Sequence, residues 1–116
     1  MHCKGFLITD KKPNEDEIEG ILKDYYYENE DNKSGFTWDW WIIGGRYDDD
    51  EIDGTSKYED LKEFDITNCY VVISENYINI REKWDGNHFI KNENFDEQVK
   101  QINLKGKFIT TIDFHD

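Results

Sequence analysis

The chain has 116 residues, with 27 Asp and Glu against 14 Lys and Arg, so its formal net charge at pH 7 is −13. This length suits one domain, and an aromatic content of 16% is too high for a disordered acidic tail. The charge argues against direct binding to nucleic acid or to an anionic membrane, and it favours a basic partner. No apolar run is long enough to cross a bilayer and the first residues do not resemble a signal peptide, so we expect a cytoplasmic protein.

The first two elements are predicted from an apolar run and from a helix start signal. The run Cys3–Thr9 predicts a strand that the turn-rich residues after it bring to an end. A helix is predicted over Glu15–Tyr27, because Asn14 and Glu17 match a capping box and apolar residues then recur every three or four positions.

An aromatic segment and an acidic segment follow. Phe36–Tyr47 predicts a second strand that a glycine pair interrupts. We interpret Asp48–Ser56 as an acidic loop, and Lys57–Phe64 as one or two helical turns.

The rest of the chain predicts a hairpin, a helix and a strand. Asn68–Ser74 and Tyr77–Trp84 flank the two-residue turn Glu75-Asn76 and predict a β-hairpin. A second amphipathic helix is predicted around Phe95–Leu104, and Lys107–Phe114 predicts the last strand. This order predicts an α+β fold in a single domain over residues 1–116. We expect a mostly antiparallel sheet of about five strands, with two main helices on one face.

The segment Trp38–Tyr47 is the most unusual part of the sequence. Three Trp occur within four residues, and neighbours on a strand point to opposite faces, so at least one indole should lie outside the core. The pair Gly44-Gly45 predicts a bulge or a close backbone approach, and Arg46 could stack on an indole or hold a carboxylate or phosphate. A purely structural alternative has Trp40 and Ile42 lining the core and Arg46 pairing with a carboxylate.

This segment resembles a Trp-Asp-Trp-aromatic-x-Ile-Gly-Gly-Arg-Trp signature of a family of phage and prophage proteins. The start of the chain, Leu7–Pro13, and its end, Ile112–His115, are also similar to that family. The chain departs from the signature in having Tyr47 where Trp is usual, and in having a shorter middle. The resemblance implies a viral origin and no particular activity.

The end of the chain offers a candidate acid–base pair. Asp113 and His115 lie two residues apart, so on a strand they share a face and could share a proton or a metal ion. The chain has only three histidines and no recognisable nucleophile turn or phosphate loop. We therefore predict no metal site, no cofactor and no enzymatic activity, and a hydrolase that uses this pair is the least favoured hypothesis.

The acidic loop has two interpretations besides that of a solvated loop. Its carboxylates and Gly54 are spaced as in a calcium loop, but Lys57 and Asp60 occupy positions where that motif needs other ligands, so we predict no calcium site. The loop could instead imitate a run of phosphates. The carboxylates of this acidic finger are Asp48, Asp49, Asp50, Glu51 and Asp53.

Two functional hypotheses from different classes follow. The first is a phage-derived acidic protein of the anti-CRISPR or anti-restriction type that inhibits a host defence nucleoprotein by occupying its basic nucleic-acid-binding surface. Its predicted partner-binding residues are the acidic finger, Trp38 and Trp41. The alternative is a protein that sequesters a nucleotide signal. Its predicted ligand-binding residues are Trp38, Trp40, Arg46, Tyr47, Asp113 and His115.

Overall fold

The chain folds around a central β-sheet. A computed structural model describes residues 1–48, 52 and 54–116 of the chain. In chain order the strands are β1 (His2–Thr9), β2 (Trp40–Ile43), β3 (Thr55–Lys57), β4 (Val71–Ile73), β5 (Ile78–Ile80), β6 (Glu82–Trp84), β7 (Phe89–Lys91) and β8 (Phe108–His115). Within the described residues the main sheet has six strands in the order β2, β8, β1, β4, β5, with β3 also paired to β8. The α+β prediction is confirmed.

The sheet is mixed rather than wholly antiparallel. β1 pairs with β4 in parallel and with β8 in antiparallel over its whole length, so the strands nearest the two ends of the sequence form its centre. The remaining pairings between the described strands are antiparallel. The predicted segment Phe36–Tyr47 forms a strand only over β2, and part of the predicted acidic loop is the strand β3.

The main helix, α1 (Glu15–Leu22), starts where the sequence predicts. The Asn14 side chain accepts a hydrogen bond from the Glu17 backbone N–H at 2.8 Å, and the Glu17 side chain accepts one from the Asn14 N–H at 3.1 Å. A 3₁₀ turn over Lys23–Tyr25 extends the helix to 11 residues, short of the predicted end at Tyr27. The second helix, α2 (Phe95–Lys100), is also shorter than predicted. No helix in the described part of the chain combines the length and the apolar character needed to cross a membrane.

The two helices pack on opposite faces of the sheet, so the prediction that both lie on one face is wrong. Ile18 and Leu22 of α1 pack in a cluster with Leu7 of β1, whereas Phe95 of α2 packs in a second cluster with Phe6. The reason is the central position of β1, whose residues 4–9 are all buried, so that its alternating side chains need a cover on each face.

The predicted hairpin around Glu75-Asn76 is confirmed as the antiparallel pair β4 and β5. The second predicted strand nevertheless stops at Arg81, whose guanidinium donates to the carbonyl oxygens of Cys69 and Thr67 at 3.0 and 2.6 Å. β6 follows and pairs with β7 in a separate two-stranded hairpin. Lys57–Phe64, predicted to form one or two helical turns, contains a 3₁₀ turn over Tyr58–Asp60.

Candidate functional site

Three neighbouring strands bring distant parts of the sequence together at one end of the sheet. In the β2, β8, β1 register, Trp40, His115 and His2 form one cross-strand row, and Ile42, Asp113 and Lys4 form the next. Directly opposite residues of antiparallel strands project from the same face. We use the name cross-strand cluster for six residues at this end: His2, Asp39, Trp40, Arg46, Asp113 and His115.

Asp113 is the buried centre of the cross-strand cluster, with only 3% of its surface exposed. Its Oδ1 accepts a hydrogen bond from His2 Nδ1 at 2.7 Å, and its Oδ2 accepts one from the backbone N–H of Arg46 at 3.1 Å. The Arg46 Nε lies 3.9 Å from Oδ2, while most of the Arg46 side chain is exposed. Both oxygens of the Asp113 carboxylate are therefore hydrogen-bonded, and the Arg46 guanidinium remains accessible at the surface.

The glycine pair makes this arrangement possible. Gly44 and Gly45 have φ values of +72° and +55°, in the region that disfavours other residues. A Cβ at Gly45 would lie 2.5 Å from Asp113 Oδ2, and one at Gly44 would lie 1.7 Å from Asp48 Oδ1. The predicted close backbone approach is confirmed.

His115 is bonded to a different carboxylate from the one that the sequence suggests. Its Nδ1 lies 2.7 Å from Asp39 Oδ1, and its ring meets the His2 ring edge to face with centroids 5.0 Å apart. Asp113 and His115 share a face as predicted, but each is hydrogen-bonded to another residue, Asp113 to His2 and His115 to Asp39. An ionised carboxylate only accepts hydrogen bonds, so each imidazole donates from Nδ1 and keeps Nε2 for another partner.

The tryptophans of the motif divide between the two faces. Trp38, a predicted binding residue, is buried at 8% exposure, and its Nε1 donates to the Leu22 carbonyl at 2.8 Å, so the structure does not present its indole at the surface. Trp41 is half-buried against the cluster of α1, whereas Trp40 is 50% exposed on the opposite face and Ile42 is also exposed. The alternation of indoles is confirmed, and the alternative that places Trp40 and Ile42 in the core is wrong.

The remaining predicted site residues are only partly described. Tyr47 is half-buried in the 3₁₀ turn that contains Arg46, and Asp48 is exposed directly after it. The other residues of the acidic finger, Asp49, Asp50, Glu51 and Asp53, lie outside the described residues.

Sequence reasoning missed two members of the cross-strand cluster, His2 and Asp39. His2 lies just before the predicted strand Cys3–Thr9 and Asp39 lies within the predicted segment Phe36–Tyr47, but their role depends on the pairing of β1 and β2 with β8. The alternation of polar side chains at the strand ends was the available signal, since Asp113 and His115 already indicated a polar patch on that face.

A groove of about 710 Å³ lies at the same end of the sheet, on the face that carries α1. We call it the aromatic groove, because its lining includes Phe36, Tyr70, Trp84 and Phe89. Trp84 of β6 and Phe89 of β7 meet edge to face with centroids 5.1 Å apart. The sequence prediction missed this site because β7 was not predicted.

The thiol in the lining of the aromatic groove is not an activated nucleophile. Cys3 lines the groove, and both cysteines of the chain are free thiols. Burial raises the pKa of Cys3 to about 12, and the nearby Asp116 and Asp113 carboxylates act in the same direction. The thiol is therefore protonated at neutral pH.

No three His, Cys, Asp or Glu side chains in the described ranges are grouped so that they could hold a metal ion. Comparison with protein-family models, with curated proteins and with solved structures gives no match. The function is therefore inferred from the chemistry of the two surfaces at this end of the sheet.

Proposed function

We propose that this chain is an acidic binding protein that occupies the basic, nucleic-acid-binding surface of a host defence protein and acts stoichiometrically, without catalysis. The observation that carries the proposal is an exposed apolar patch, Trp40 and Ile42, on a strand that exposed Asp39 precedes and exposed Asp48 follows, in a chain of net charge −13. Exposed Trp is the residue type most often found as an energetic anchor in interfaces.

The surroundings of Trp40 support a preorganised contact surface. β2 is paired with β8 along its length, and the Asp39 backbone N–H donates to the His115 carbonyl at 2.9 Å. The indole is thus presented from a sheet and not from a loop, which lowers the conformational entropy lost on binding. The negative field of the chain adds attraction to a basic surface and speeds encounter with it.

The biological setting of the proposal comes from the sequence motif. The resemblance of Trp38–Tyr47 to a phage and prophage signature supports a phage origin, and a target among host defence proteins of the CRISPR or restriction type. Such a target would place the protein in the cytoplasm of the bacterial host.

The first experiment identifies the partner and tests Trp40. Tagged protein captures its partner from host lysate, and the affinity of the purified pair is measured for the wild type, Trp40→Ala and Tyr27→Ala. Tyr27 is a matched control, since it is 54% exposed and lies outside the cross-strand cluster. We expect Trp40→Ala to weaken binding by about tenfold or more, while Tyr27→Ala leaves it unchanged.

Competition with nucleic acid and the salt dependence of binding complete the test. Nucleic acid that binds the captured partner should displace this protein, and the affinity should fall as the salt concentration rises. A partner that binds equally well with its nucleic acid in place, or turnover of the partner by substoichiometric protein, would contradict the proposal.

A second candidate function, capture of a nucleotide signal, is favoured by one observation. The cross-strand cluster places an exposed indole, an exposed guanidinium and two imidazoles on a single face. Stacking on Trp40 and phosphate contact with Arg46 would bind a nucleotide, although the net charge of −13 opposes an anionic ligand. Nucleotide absorbance released by denaturing the purified protein, and its loss in Arg46→Ala, would support this candidate over the first.

A further inference from the structure

We propose that the aromatic groove receives a lysine or arginine side chain of the basic partner, as a second anchor on the face opposite Trp40. The inference rests on the proposed function for the identity of the partner, but its evidence comes from different residues. It deepens that function by naming the chemical group that the groove recognises.

The shape and lining of the groove suit an inserted side chain. Its volume of about 710 Å³ falls in the range of ligand pockets, and four aromatic rings contribute to its walls. Trp84 and Phe89 are 47% and 50% exposed, although their rings already contact each other. Two large rings left half-open at a concave site mark a surface that a partner covers.

The charges around the groove select a cation. Asp85 lies between Trp84 and Gly86, both of which line the groove, but its own carboxylate accepts hydrogen bonds from the Asn87 and His88 backbone N–H groups and is not part of the lining. Asp116 also contributes to the lining. Asp116 and the net charge of −13 repel an anionic occupant and attract a cationic one.

Two cations in the lining, the Lys33 side chain and the Met1 ammonium, do not reverse this preference. The Lys33 ammonium donates to the Glu30 carbonyl oxygen at 3.3 Å, within its own loop, and the Met1 ammonium donates to the Asp116 carbonyl oxygen at 2.9 Å. The face of an aromatic ring carries negative electrostatic potential and binds guanidinium or ammonium groups, most strongly when the ring is Trp. The chain already contains such a contact, since the Arg81 guanidinium lies 4.4 Å from the centroid of the Phe95 ring.

The test uses a blocked Gly-Arg-Gly-Arg-Gly peptide and the same peptide with citrulline in place of arginine, which keeps the shape and removes the charge. Binding is followed by NMR through the indole N–H signals. We expect the arginine peptide to shift the Trp84 signal and to bind about tenfold more tightly than the citrulline peptide. Trp84→Ala should abolish this binding, Trp84→Phe should retain part of it, and Trp40→Ala should leave the Trp84 shift intact.

Two results would overturn the inference. Equal affinity for the arginine and citrulline peptides would show a groove that selects apolar groups without regard to charge. Shifts confined to Trp40 would place the cation on the other face. If the captured partner still binds Trp84→Ala with wild-type affinity but loses affinity for Trp40→Ala, the groove inference fails while the proposed function stands. If neither Trp84→Ala nor Trp40→Ala loses affinity for the partner, both the groove inference and the proposed function are contradicted. Thermal unfolding of each variant confirms that it is folded.

Discussion

Gly45 leaves the space that the Asp113 carboxylate fills, because a Cβ at position 45 would lie 2.5 Å from Asp113 Oδ2. The glycine also has a φ of +55°, a conformation that costs other residues free energy. The contact joins two segments that are 67 residues apart through the hydrogen bond from the Arg46 backbone N–H.

Replacing Gly45 with alanine should therefore destabilise the protein. We expect Gly45→Ala to lower the free energy of unfolding in urea by about 1–3 kcal/mol, from backbone strain and displacement of the carboxylate. Gly20→Ala is the matched control, because Gly20 lies within α1 and a Cβ there meets nothing within 4 Å. That change should raise the free energy of unfolding by about 0.5–1 kcal/mol. A Gly45→Ala variant with the stability of the wild type would contradict the close approach of Gly45 to Asp113.

The two carboxylates of the cross-strand cluster should differ in their contribution to stability. Asp113→Asn replaces a buried acceptor of two hydrogen bonds and should cost about 1–3 kcal/mol. Asp39→Asn alters a solvent-exposed pair with His115 and should cost less than about 1 kcal/mol. Urea unfolding of both variants measures the difference, and equal losses would argue against a special role for the buried carboxylate.

Cys3 should make the protein less stable in alkali. Its pKa is raised by burial from 9.0 to about 12, so the folded state binds the thiol proton more tightly than the unfolded state. This contribution to stability is fully present below pH 9 and is lost as the pH rises through about 12. The Tyr70 pKa is also raised by burial to about 12, which adds a loss above pH 10. Urea unfolding across this window should show a flatter pH dependence for Cys3→Ala, and an unchanged slope would contradict the burial of the thiol.

Trp38 and Trp40 should separate stability from binding. Trp38→Ala removes a buried indole and its hydrogen bond to Leu22, and should cost about 3–5 kcal/mol. Trp40→Ala removes a half-exposed indole and should change stability by no more than about 0.5 kcal/mol. Denaturant unfolding provides the measurement. A large loss for Trp40→Ala would assign that indole to the core, and its use as a binding probe would then be invalid.

The start of α1 could be predicted from the sequence, because the capping box of Asn14 and Glu17 involves only neighbouring residues. Its end could not. Trp38 takes up the backbone groups that would continue the helix, accepting from the Tyr27 N–H at 2.9 Å and donating to the Tyr25 carbonyl at 3.1 Å. This contact between distant segments replaces helical hydrogen bonds, so periodicity alone predicted a helix that was too long.

In the candidate sites too, local features could be predicted from the sequence and features that depend on strand pairing could not. The glycine pair and the alternation of Trp40 and Trp41 are local features, and both predictions are confirmed. The partners of Asp113 and His115 depend on register across strands, which the spacing of two residues in one strand does not contain. The aromatic groove requires the hairpin of β6 and β7, whose strands are three residues each and carry weak signals.

The pairing of β1 with β8 also determines when the protein can fold during its synthesis. His2 pairs with His115 and Thr9 with Phe108, so the central ladder forms only after the last strand has left the ribosome. Until then Phe6, Leu7 and Ile8, which are buried in the folded chain, have no permanent cover. This pairing closes a loop that spans nearly the whole described chain, and distant pairings of this kind slow folding. Before β8 is available this apolar segment is exposed, which makes the incompletely folded chain prone to aggregation.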